Sequence, residues 1–106
     1  MILIIGGAYQ GKRDFLYNTF NTEGKEILFN FHELIRGYTQ EEIKAFLAEA
    51  LEKYDFVICN ETGSSIVPLE RADREYRENA GRALCYLAQN AKEVWRVYCG
   101  IGTRIK

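Results

Sequence analysis

Short apolar runs broken by glycine and polar clusters set the rhythm of this chain. Ile2 to Ile5 is an aliphatic run of the kind that forms a strand buried on both faces of a parallel sheet. It breaks at Gly6-Gly7-Ala8-Tyr9-Gln10-Gly11-Lys12, and helical spacing follows in Phe15, Leu16, Thr19 and Phe20. Asn21 to Gly24 ends that helix, and Lys25 to Phe31 predicts a second strand reached by a right-handed parallel crossover. His32 to Tyr38 reads as loop with a turn of helix. Thr39-Gln40-Glu41-Glu42 is a capping box, and Ile43, Phe46, Leu47, Ala50, Leu51 and Tyr54 give the helix behind it an apolar stripe. Asp55 to Cys59 is a further buried strand that runs into the polar stretch Asn60 to Ser65. Pro68 suits the first turn of another helix, whose inner stripe is Tyr76, Ala80, Ala83, Leu84 and Leu87. Glu93 to Cys99 alternates as a strand does, Gly100-Ile101-Gly102 is expected to turn the chain, and Thr103 to Lys106 to add a short edge strand. This order predicts an α/β fold in which a small, mostly parallel sheet carries helices on both faces.

Composition narrows the class. The 106 residues, 47% hydrophobic and 13% aromatic, suffice for one packed core, so a single domain over residues 1–106 is expected. No segment has the length and apolarity of a membrane span, and a net charge of −1 supplies no general attraction for nucleic acid or an anionic membrane. The opening run is very short and has no basic residue before it, which argues against a secretory signal and for a cytoplasmic protein. Cys59, Cys85 and Cys99 have neither C-x-x-C spacing nor an even count, so reduced thiols are expected rather than a zinc site or disulfides. The alternating charges from Glu70 to Glu78 fit a solvated helix face crossed by i,i+4 ion pairs better than a binding surface.

The glycine stretch carries the candidate chemistry. A polyphosphate needs inward-pointing amides, no side chains in the way, and a cation. Gly6-x-x-x-x-Gly11-Lys12 between a strand and a helix offers all three, which makes it a P-loop, or Walker A motif, except for its last letter. The candidate nucleotide-binding residues are Gly6, Gly7, Ala8, Tyr9, Gln10, Gly11, Lys12 and Arg13. Arg13 stands where the motif has the Mg²⁺-binding Ser or Thr, so ATP or GTP is the expected ligand while Mg²⁺ is disfavoured. A plain tight turn is the alternative reading. Ligands of such sheets sit beyond the carboxyl ends of the strands, which here means the segments starting at Gly6, His32, Asn60 and Gly100.

The residues resemble the adenosylcobinamide kinase/adenosylcobinamide-phosphate guanylyltransferase family of cobalamin biosynthesis. The resemblance rests on Gly6-Gly7-Ala8-x-x-Gly11-Lys12, on Asn60-Glu61-x-Gly63-x-x-Ile66-Val67-Pro68, on Arg74-x-Tyr76-Arg77-Glu78-x-Ala80-Gly81-Arg82, and on Glu93-Val94-Trp95 through Gly100-Ile101-Gly102 to Ile105-Lys106. It implies a P-loop NTPase-like three-layer fold, phosphoryl transfer from ATP or GTP to a cobinamide-type corrinoid, and His32 as a covalent acceptor of the nucleotide. Against that role, His32-Glu33-Leu34-Ile35-Arg36-Gly37 keeps the family's His-to-Arg spacing but lacks its Pro, and a strand-end histidine also serves as an ordinary hydrogen-bonding loop residue. Lys12, Glu61 and His32 are thus the candidate catalytic residues. Glu61 is read either as support for a metal or base, or as a cap or ion-pair partner of Arg13. The family's middle section is missing, and Leu84-Cys85 replaces its usual Asn-Gln. These departures favour a second reading, a catalytically impaired nucleotide- or phosphate-binding regulatory protein. The missing section is also expected to leave apolar surface that a homo-oligomer would cover.

Overall fold

The computed structural model describes residues 1–61 and 71–106. Its element order is β1 (Ile2–Gly6), α1 (Lys12–Thr19), β2 (Ile27–Leu28), α2 (Phe31–Leu34), α3 (Gln40–Lys53), β3 (Phe56–Asn60), α4 (Arg71–Asn90), β4 (Glu93–Tyr98) and β5 (Ile101–Arg104). The strands form one sheet in the order β2-β3-β1-β4-β5; β1 pairs in parallel with β3 and β4, β2 in parallel with β3, and β5 antiparallel with β4. This is the mostly parallel sheet that the order of apolar runs predicts, in the P-loop NTPase-like arrangement that the resemblance implies.

Strand alternation divides the core in two. Leu3, Val57, Cys59 and Val94 face α2, α3 and α4, where they meet Phe31, Ile35, Ile43, Leu47, Ala80, Ala83 and Leu87. Ile4, Phe56, Ile58 and Val97 face the other way, toward Leu16 of α1 and the rings of Phe15, Phe20 and Trp95. Each fully buried aliphatic side chain contributes about 1.5–3 kcal/mol, so both layers stabilise the sheet. The capping box at Thr39 is present in both directions: its hydroxyl accepts from the Glu42 amide at 3.2 Å, and its own amide donates to the Glu42 carboxylate at 3.0 Å. On α4 the i,i+4 pairs Arg71–Glu75 and Glu78–Arg82 form as the charge pattern implies.

Two expectations are corrected. The strand expected over Lys25 to Phe31 is cut to Ile27–Leu28, because Asn30 turns into the left-handed region (φ 57) and Phe31 starts α2. Phe31 is drawn into the larger core, where its ring meets Phe46 at 5.6 Å between centroids. The second correction is at the C-terminal hairpin: the turn is Cys99-Gly100, both at positive φ (52 and 76) as a type I′ turn requires, so β5 begins at Ile101. The expected helix start at Pro68 lies outside the described residues.

Candidate nucleotide site

β1 delivers the glycine loop to the carboxyl edge of the sheet, and α1 leaves it at Lys12. Apart from the turn at Ala8-Tyr9, which brings the Gln10 amide back toward the Gly7 carbonyl, the amides of Gly7 through Asp14 make no well-formed bond among the described residues; the first is that of Phe15, to the Gly11 carbonyl at 2.9 Å. The first turn of α1 and the loop before it therefore have N–H groups to spare among the described residues. Tyr9 and Gly11 reverse the chain with φ of 59 and 85, and the Tyr9 side chain is fully exposed.

Lys12 closes the loop. Its side chain is only 9% exposed and its ammonium donates to the Gly7 carbonyl at 2.6 Å. Burial holds its pKa below the ordinary lysine value, while the nearby Cys59 and Glu61 pull it back up. The ammonium thus sits in the mouth of the loop on a neutral acceptor. The cleft outside it, about 370 Å³, is lined by the loop, by Arg13 and Asp14, and by Phe29, Asn30, Glu33, Ile58 and Asn60. Arg13 lies across the Phe29 ring, 4.4 Å from its centroid.

Glu61 does not pair with Arg13. Its carboxylate is held by Arg96 of β4 in a two-pronged contact, Nε to Oε1 at 2.8 Å and a terminal nitrogen to Oε2 at 3.1 Å. β1 runs between their strands, with Ile5 registered against both Cys59 and Arg96. Arg96 is the site neighbour that the sequence reading passes over. The only signal for it is a cation inside the alternating run Val94-Trp95-Arg96-Val97.

These residues offer little to a resident divalent cation: Arg13 stands at the hydroxyl ligand's position, both Glu61 oxygens are engaged by a guanidinium, and among the described residues no three acidic, histidine or cysteine side chains come together.

His32 is placed beside this site, at the start of α2. It is buried, and its Nδ1 accepts the Asn60 amide at 3.1 Å, which leaves the proton on Nε2, 3.8 Å from Glu33. Burial and the Lys12 and Arg36 charges lower its pKa against the opposing pull of Glu33, so the ring is neutral. In this arrangement one ring nitrogen is engaged and the other carries the proton. The imidazole ties the end of β3 to α2. The Tyr76 hydroxyl donates to the His32 carbonyl from α4, and Arg36 lies over the Tyr76 ring at 4.0 Å and 3.6 Å from Asp73.

The rest of the Asn60-Glu61-x-Gly63-x-x-Ile66-Val67-Pro68 run lies outside the described residues. Comparison with known proteins gives a family match beyond the loop. The family model for cobinamide kinase / cobinamide phosphate guanyltransferase matches residues 27–105. The bifunctional adenosylcobalamin biosynthesis proteins CobU of Escherichia coli (strain K12) and Salmonella typhimurium (strain LT2) are each 48% identical over 50 residues, 47% of this chain and 28% of theirs. The matched stretch thus spans under a third of either relative. The glycine loop lies before the family match, so loop geometry and family match are separate observations. With residues 27–105 matched, the chain belongs to the cobinamide kinase / cobinamide phosphate guanyltransferase family.

Proposed function

We propose that the chain binds ATP or GTP through the phosphates at Gly6 to Arg13 and transfers a phosphoryl group to a cobinamide-type alcohol, as a reduced kinase of its family. The observation that supports this most is the set of spare loop amides around a buried lysine. Phosphoryl transfer is mainly positioning and neutralisation of charge. In this reading the loop amides hold the β-phosphate, and Lys12 exchanges its carbonyl partner for phosphate oxygen. The Arg13 guanidinium, mounted on Phe29, takes over part of the neutralisation that a metal supplies elsewhere. The bond from the γ-phosphorus to its bridging oxygen breaks, a bond to the acceptor hydroxyl oxygen forms, and the hydroxyl proton passes to Glu61, which Arg96 keeps at the strand end. His32 has no covalent role, so guanylyl transfer through it is not part of the proposal.

The experiment is transfer of labelled phosphate from ATP or GTP to cobinamide, measured against Lys12→Ala. Transfer no greater than in that variant would refute the kinase. A second reading has its own observation: the Glu61–Arg96 pair engages both carboxylate oxygens, which makes Glu61 a weaker base and favours a nucleotide-binding regulatory protein without turnover. Tight nucleotide binding without transfer would select it. Arg13→Ser should make binding Mg²⁺-dependent under either reading, and a variant still indifferent to Mg²⁺ would refute the role given to Arg13.

The exposed Tyr98, Ile101 and Ile105 along the β5 edge support self-association through that edge. A purely monomeric species in sedimentation at high concentration would remove it. Among the described residues no helix is long and apolar enough to cross a membrane, which accords with a cytoplasmic site of action.

A further inference from the structure

The phosphate loop does not stand alone. Gln10, in its middle, meets the Cys99-Gly100 turn twice: the Gly100 amide donates to the Gln10 carbonyl at 2.7 Å, and the Cys99 amide donates to the Gln10 side-chain Oε1 at 2.8 Å. At Gly11 the backbones approach so closely that a Cβ there would lie 3.2 Å from the Gly100 Cα. One helical turn later, Phe15 packs onto Gly102 so tightly that a Cβ at 102 would lie 2.1 Å from a carbon of its ring. The hairpin of β4 and β5 therefore grips the loop and the first turns of α1 together, at positions more than eighty residues away in the chain.

We propose that the Cys99-Gly100 turn braces the phosphate loop, with Gln10 as a positioning residue, so that phosphate binding and the order of the hairpin are coupled. The physical basis is how little the loop's own bonding fixes its middle. Lys12 ties it at Gly7, and two bonds from a turn with positive φ hold Gln10 from outside. The Gln10 side chain acts here purely as an acceptor, and its interaction is with the hairpin rather than with the ligand. Coupling between two sites is reciprocal: whatever the turn adds to loop order, a bound phosphate returns to the turn.

This inference rests on the phosphate reading of the loop, and its test separates the two. Inorganic triphosphate is the probe. In the wild-type chain, amide hydrogen exchange at Cys99 and Gly100 should slow by about fivefold or more when triphosphate is added, because the ligand favours the closed, braced form. Gln10→Met keeps the length of the side chain and removes its acceptor. It should bind triphosphate about tenfold more weakly, the size of one hydrogen bond, while its melting temperature without ligand stays within about 2 °C of wild type.

If Lys12→Ala loses triphosphate binding but Gln10→Met binds as wild type does, the brace is wrong and the loop binds phosphate unaided. Unchanged exchange at Cys99 and Gly100 on saturation has the same meaning. A fall in melting temperature matching the loss of affinity would make Gln10 a merely structural residue and likewise overturn the proposal. If wild type takes no triphosphate at all, the reading of the loop and the brace fail together.

Discussion

Two segments leave the carboxyl edge of the same sheet, the loop after β1 and the segment after β2, and both carry residues with catalytic credentials. They differ in what their polar groups are already doing. After β1, apart from the Ala8-Tyr9 turn, the amides of Gly7 to Asp14 make no well-formed bond among the described residues, and the one buried cation rests on a neutral carbonyl. After β2, His32 has one nitrogen committed to Asn60, its carbonyl to Tyr76, and its neighbour Arg36 stacked on Tyr76 and paired with Asp73. The first segment is built to receive a partner and the second already has its partners. A motif in a sequence names the groups, and only the fold decides whether they are free.

The sharpest way to break this contrast is at its two centres. Lys12→Ala should weaken triphosphate binding by about 100-fold or more, the cost of truncating a buried charge partner, and leave the fold intact. Calorimetric titration checks it, and a loss of less than about fivefold would deny Lys12 its role. His32→Ala should do the reverse: triphosphate affinity within about twofold of wild type, but about 2 kcal/mol lost in denaturant unfolding, because the Asn60 amide is left buried without an acceptor. His32→Asn, whose carbonyl oxygen takes the place of Nδ1, should recover most of that loss.

The same contrast has a pH signature. His32 and Lys12 both have lowered pKa values, with burial as the leading cause. For His32 the unfolded chain takes up a proton near the ordinary value of 6.5 before the folded chain does. Stability should therefore be full above that pH and fall as the pH drops from there to the lower folded value. His32→Asn should abolish that part of the acid profile. For Lys12 the readout is binding: phosphate needs the ammonium, so affinity should weaken on the alkaline side before the ordinary lysine value of 10.5 is reached. An affinity flat to that value would contradict the buried setting of Lys12.

The smallest effect concerns the hairpin. Cys99 takes φ 52 in a turn that favours Asn at that position, so Cys99→Asn should stabilise the chain by about 0.5 kcal/mol with both amide bonds to Gln10 kept. A destabilised variant would mean that the Cys99 thiol contributes something the turn geometry does not.

What was legible in the sequence is what local chemistry decides. Strand, glycine loop and helix at the N-terminus, the Thr39 capping box and the α4 stripe all follow from spacing within a few residues. The truncation of β2 was not legible, because Phe31 leaves the strand for Phe46, fifteen residues on and in another element. Nor was the partner of Glu61. Arg13 is the obvious candidate from the motif, but the sheet order puts β1 between β3 and β4 and brings Arg96 across it. The turn at Cys99-Gly100 was misread by one position, since Gly102 is glycine for the packing of Phe15 rather than for chain reversal.

The most direct test of the central claim is titration of the wild-type chain with inorganic triphosphate in the presence of a chelator that removes divalent cations. Saturable one-to-one binding, little changed when Mg²⁺ is restored, is the result expected of open amides backed by Lys12 and Arg13. Binding that appears only with Mg²⁺, or no binding in either condition, would contradict it.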